Sequence, residues 1–361
     1  MNDESNDEEH ESYSDESNPI RDFITDLATE PIAPGIPAPL RRNFLKAFGQ
    51  LCTAAMDVPI AHLSGMADER RAVTAARIKL TEESAEQIAN QMQTDPEYAR
   101  VSAEKFGNRI LREQVSLDKV CWAAATDLQD ASRSTDQLEQ DDSANTISDD
   151  WLNTFETEAR QKSSEEMQAY FGRVLAGEIR KPGSFSIRTV RILASLDQET
   201  ATHFARLCSL CVSFESGDVR VPSLGGNANK NDLQEYGLPF ATLNQLNEHG
   251  LVISEYNSVI EYIATIGYQG LEHKAYCRPF TYKGKHWILR PTHRENVGQT
   301  IKIHGVALTN SGKELFRIVK LDPVDQYSQE LDRFFQKHGY WMVEAEDGRP
   351  RDVNLNGLPR T

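Results

Sequence analysis

The chain has 361 residues, 39% of them hydrophobic, and a formal net charge of −16; that is enough apolar material for a core in each of two domains. No run reaches the roughly 18 apolar residues that a membrane-spanning helix needs, and the acidic N-terminus has neither the basic n-region nor the apolar h-region of a secretory signal, so secretion and membrane spanning are not indicated. With 39 Lys and Arg against 55 Asp and Glu, the balance argues against a nonspecific nucleic-acid binder.

In chain order, MNDESNDEEHESYSDESN alternates Ser with acids and has no apolar period, so residues 1–18 are expected to be a disordered tail. A short helix near 20–29 and the stiff run PIAPGIPAP complete a linker over 19–39. Residues 40–133 turn rich in Ala, Leu, Glu, Arg and Gln and are predicted to form a helical bundle. In its second helix Ile60, Leu63, Ala67, Val73, Ile78 and Leu80 recur at helical spacing, which suits bundle packing with some self-association. The polar stretch 134–150 is the natural boundary.

From Trp151 a helix runs to about Gln161. Ser163 and Glu166 suggest a capping box for a helix that Pro182 and Gly183 end. Further helices are expected at SIRTVRILASL and DQETATHFARLCSLCVSF. A short helix near Asn231–Tyr236 precedes PFATLNQLNEHG and an apolar strand at 251–254, the order of a winged helix. Strands are expected at 258–265 and over 274–290, the latter turning at Lys283-Gly284-Lys285, with another at IKIHGVAL. LTNSGKELFRIV reads as a helix capped by Thr309 or Asn310, and PVDQYSQELDRFFQKHG as a last amphipathic helix ending at Gly339, with a strand after it. The expected fold is mainly α with a small β component: the N-terminal bundle, then a helical and winged-helix-like domain over 151–345, then a flexible tail over 346–361.

MQAYFGRVLAGEIRKPGSFSIRTVRIL, with the earlier VPIAHLSGMADERRAVTAARIKL and the later VALTNSGKELFRIV, resembles an uncharacterised bacterial family catalogued as domain of unknown function 2806, over roughly residues 40–345. The AGEI-x-x-PGSFS-x-RT run is the specific part. The resemblance implies no activity and no catalytic residues; it places the chain among proteins similar to those of mobile and phage-defence regions.

Candidate chemistry is sparse. Cys208 and Cys211 form a C-x-x-C near His203 but lack a second ligand pair for zinc, and they fall among Phe204, Leu207 and Leu210 as buried thiols would. Five scattered cysteines fit reduced cytosolic thiols better than a disulfide framework. Gly305 and Gly312-Lys313 miss the P-loop spacing, and Glu314 stands where a Mg-binding Ser or Thr belongs. Glu272 and Lys274 echo the E-x-K of Mg-dependent nucleases, with only Glu255 or Glu261 as a further acid.

Charge is more informative. Residues 1–30 hold 1 basic residue against 11 acids and 31–180 hold 17 against 24, whereas 271–320 hold 10 against 3. Arg278, Lys283, Lys285, Trp287 and Arg290 are therefore a candidate basic wing for nucleic acid or an acidic protein surface. Arg180, Lys181, Arg188 and Arg191, with Arg173 nearby, make a second candidate, an anion-holding corner at a helix N-terminus. The sequence points to a cytosolic, non-enzymatic regulatory or phage-defence-associated adaptor, with homo-oligomer formation open and no cofactor or metal expected. An Mg-dependent nuclease and an oligomerising scaffold are the alternatives.

Overall fold

The computed structural model describes residues 40–52, 96–134, 146–226, 232–263, 265–267, 274–322, 324–345 and 351–354. The acidic tail, the proline-rich linker and the helix expected over 60–80 lie outside these residues, as does most of the polar boundary.

Six helices come first: α1 (Arg41–Leu51), α2 (Pro96–Ser134), α3 (Asp149–Ala159), α4 (Glu165–Arg180), α5 (Ile187–Ser195) and α6 (Gln198–Leu210). Phe44, Ala47, Phe48 and Leu51 recur at helical spacing, and α1 buries that stripe, Phe44 and Phe48 stacking at 4.0 Å. Helix α4 packs along α2, where Gly172 lies so close to Ala123 and the backbone of Ala124 that a Cβ would meet them at 2.5 and 3.0 Å. The cap of α4 is Ser164, whose hydroxyl accepts from Met167 N, and not the expected Ser163. Asp197 caps α6 through Thr200 N.

Strands β1 (Val212–Phe214) and β2 (Val219–Pro222), a short 3-10 turn (Gln234–Tyr236) and α7 (Phe240–Glu248) follow. Then come β3 (Ser258–Ile263), β4 (Thr265–Gly267), β5 (Lys274–Cys277), β6 (Pro279–Tyr282), β7 (Lys285–Pro291), β8 (Thr300–Ala307), α8 (Asn310–Phe316), α9 (Asp325–Lys337), β9 (Tyr340–Glu344) and β10 (Arg351–Asn354). Seven strands form one antiparallel sheet in the order β3-β8-β2-β1-β6-β7-β9, and β10-β5-β4 form a smaller one.

The expectation of a mainly α chain with a small β component and a winged helix is overturned. The sheet is a major part of the C-terminal region. The 279–291 hairpin is not a free wing, because β1 pairs with β6 and β9 with β7 on its two sides. The strand expected at 251–254 is reduced to one bridge, Val252 to Leu308. Sequence periodicity misassigned Val212–Phe214 to a helix, since a short apolar run fits either period. In fact α6 stops at Leu210, and the Glu215–Asp218 turn, with Gly217 at φ 77°, starts a hairpin.

The sheet curls around its concave face. Tyr262 of β3 donates its hydroxyl to Arg278 O at 2.6 Å, and its ring lies 6.3 Å from Phe214 of β1. Two strands separate β3 from β1, a gap of roughly 14 Å in a flat sheet. Helix α9 covers this face: Phe335 packs on Phe280, Tyr327 donates to Pro222 O at 2.7 Å, and Ser328 bonds the Tyr282 hydroxyl. Arg220, 3% exposed, is held inside by both Asp218 oxygens and by the carbonyls of Ser258 and Ile303. Arg220 is thus a buried tie between β2, β3 and β8.

Candidate functional site

The specific run AGEI-x-x-PGSFS builds a rigid corner. Helix α4 ends at Arg180, and Gly183 takes a left-handed φ of 86°. Glu178, 2% exposed, turns its carboxylate back on the corner, accepting from Gly183 N at 2.6 Å and Phe185 N at 3.0 Å. Burial raises the Glu178 carboxyl above the ordinary glutamate range, and these N–H groups partly offset the rise. The Phe185 ring lies on Gly177, where a Cβ would stand 2.5 Å from the ring edge. The absence of a side chain at Gly177 thus admits an aromatic ring. The Trp151 indole donates to Phe185 O at 2.7 Å, which fastens α3 to the corner. Ser186 caps α5 through Thr189 N, and its own N–H donates to Glu314 of α8 at 2.7 Å.

This corner forms one wall of a cavity of about 390 Å³. Arg173 and Arg180 from α4 and Arg317 and Lys320 from the segment after α8 line it, with Asp127 of α2 as the acid in the lining. Gly177, Phe185, Ile318 and Val319 add an apolar part. Arg180 donates to Asp127 Oδ2 at 2.6 Å and to Asp127 O at 2.7 Å. Arg173 donates to Ile318 O at 2.9 Å, with its guanidinium 5.5 Å from the Tyr170 ring centre. Arg317 reaches Ser184 O at 3.5 Å. Arg173 and Arg317 are thus oriented by backbone carbonyls, which leave their charge uncancelled, whereas Arg180 is paired with Asp127. Such a site is arranged to accept an anion.

Of the predicted corner residues, Arg180 and the nearby Arg173 line the cavity. Lys181, Arg188 and Arg191 are exposed and stand outside the lining, with Arg188 against Gly250. Arg317 and Lys320 escaped the sequence reading. Nothing local marks them, since they join Arg173 and Arg180 only when chain positions far apart meet.

The hairpin residues do not converge. Lys285 and Trp287 share the face that carries Phe280 and Tyr282, whereas Arg290 points to the other face beside Trp341. Lys283 occupies the turn at φ 52°, 3.7 Å from Asp325, and Lys285 bonds Glu344 at 2.9 Å. Trp287 is half-buried and donates to Tyr282 O. Arg278 and Arg290 are exposed.

The remaining motifs resolve structurally. Cys208 and Cys211 are buried, and burial raises both thiols. Among the described residues no group of three or more His, Cys, Asp and Glu side chains is placed to hold a metal. Thr309 caps α8 by accepting from Gly312 N, so LTNSGKEL is a strand-to-helix turn. Glu272 lies outside the described residues, and Lys274 contributes backbone to β5. No helix of the described residues is long and apolar enough to cross a membrane.

Neither a curated protein nor a solved structure matches the chain. A family model described as protein of unknown function, DUF2806, matches residues 110–332. That match spans every wall of the arginine cavity and more than half of the sequence, and the chain belongs to the DUF2806 family.

Proposed function

We propose that this protein works by binding rather than by catalysis, as a regulatory or defence-associated adaptor that recognises an anionic group in the arginine cavity. The observation that carries this reading is the meeting of Arg173, Arg180, Arg317 and Lys320 from two walls in one cavity, opposed by Asp127 alone among the acids of its lining. Arg173, pre-positioned by the Ile318 carbonyl, loses little freedom when it engages an oxyanion, and Asp127, the acid of the lining, is taken up by Arg180 alone, which favours recognition there over the hairpin, whose two lysines each face an acid, Asp325 and Glu344. Five buried, unbridged cysteines support a reducing, cytosolic setting.

The test uses the full chain with sulfate, pyrophosphate and a 20-nucleotide single strand, read by thermal shift and fluorescence anisotropy over a salt series. Wild type is stabilised by at least one of these anions, and the effect weakens with salt. The double variant Arg317→Glu with Lys320→Glu loses it, while Lys283→Glu with Lys285→Glu keeps it. Equal binding by the cavity variant, or loss in the hairpin variant, refutes the assignment.

A further inference from the structure

We infer that the ligand of the arginine cavity is a small diphosphate-bearing molecule, a nucleoside diphosphate free of metal being the class that fits. This rests on the reading of the cavity as an anion receptor and adds what the anion is.

Charge is the first argument. Four cations and one carboxylate leave the lining at three positive charges (4 minus 1). A single carboxylate leaves most of that unmatched. A diphosphate ester, with one ionisable oxygen on the inner phosphate and two on the outer, balances it. Guanidinium groups also pair with phosphate oxygens through two parallel N–H bonds, and three of the four cations are arginines.

Size and shape come next. A volume of about 390 Å³ falls within the range of small-molecule sites. The apolar side formed by Gly177, Phe185, Ile318 and Val319 suits the organic portion of a nucleotide. A polymer needs a continuing line of cations for successive phosphates. Here the hairpin lysines are paired with acids, and Glu314 holds Ser186 N at the adjoining corner.

The acid content argues for the metal-free form. Mg²⁺ on a nucleotide is ordinarily shared with protein carboxylates. The cavity has Asp127, and that carboxylate is engaged by Arg180 at 2.6 Å. Magnesium would instead draw charge from the diphosphate that the arginines use.

Titration calorimetry of the full chain with ADP, AMP and pyrophosphate in the presence of a chelator tests this. ADP is expected to bind at least tenfold more tightly than AMP, and pyrophosphate to compete with it. Excess Mg²⁺ weakens ADP. Arg317→Gln, and independently Lys320→Gln, each at an exposed position, weaken ADP at least fivefold while the unliganded thermal midpoint stays unchanged. AMP binding as tightly as ADP, Mg²⁺ strengthening the complex, or indifference to both variants overturns the diphosphate assignment. If ADP and pyrophosphate fail but the 20-nucleotide strand binds in an Arg317-dependent way, the ligand class falls and the receptor reading stands. If none of them binds, both fall.

Discussion

Glu178→Ala is expected to weaken the fold through the corner alone. The carboxylate accepts two backbone N–H groups, Gly183 at 2.6 Å and Phe185 at 3.0 Å, from a position 2% exposed. A hydrogen bond to a charged group contributes about 1.5–3 kcal/mol, and truncation leaves both donors without their acceptor. Offsetting this, the variant no longer holds an ionised carboxylate in a buried place, the same burial that raises its pKa. The net loss is about 2–4 kcal/mol, read by urea unfolding followed through Trp fluorescence, with Trp151 itself bonded to the corner. The pH dependence has a definite sign. Because the folded-state pKa lies above the ordinary value of 4.5, the folded protein binds more protons between the two values, and the contribution of Glu178 falls as pH rises through that window. The penalty of Glu178→Ala is therefore larger near about pH 4 than near about pH 7. A loss below about 0.5 kcal/mol, or a penalty that grows with pH, refutes the account of this corner.

Gly312→Ala places a Cβ against the carbonyl oxygen of Leu251, a backbone atom that cannot swing away, so a loss of about 1–3 kcal/mol is expected in the same unfolding assay; unchanged stability argues against that close approach. Lys283→Asn converts a left-handed lysine before Gly284 into the Asn-Gly pair that such a hairpin turn favours. It should raise stability by about 0.5–1 kcal/mol, the 3.7 Å ion pair to exposed Asp325 being worth little, and a lower thermal midpoint would count against it. All five cysteines are buried, with burial raising the thiols of Cys208, Cys211 and Cys277. A thiol-labelling reagent should react with them only after urea is added, and rapid labelling of the native chain would contradict this.

Much of the local structure was legible from residue order. The apolar spacing of Phe44, Ala47, Phe48 and Leu51 set the buried stripe of α1, and Ser186 and Thr309 acted as caps because a short oxygen side chain ahead of an apolar period can satisfy the first free N–H groups. Helix α9 ended where Gly339 adopts φ 81°. The run from Ala176 to Ser186 also carried the family resemblance, and its composition is now explained: Gly177 makes room for Phe185, and Glu178 closes the turn. Tertiary structure alone decided the rest. Pairing Ser258 with Gly305, or Trp287 with Glu344, depends on which distant edges meet, and no short-range period encodes that choice. The same holds for charge. Net charge along the chain is blind to surroundings: of the cations at 271–320, folding set Lys283 and Lys285 beside acids and brought Arg317 and Lys320 to Arg173 and Arg180 around one cavity. Electrostatic interaction falls with distance through space, and chain separation is blind to that distance.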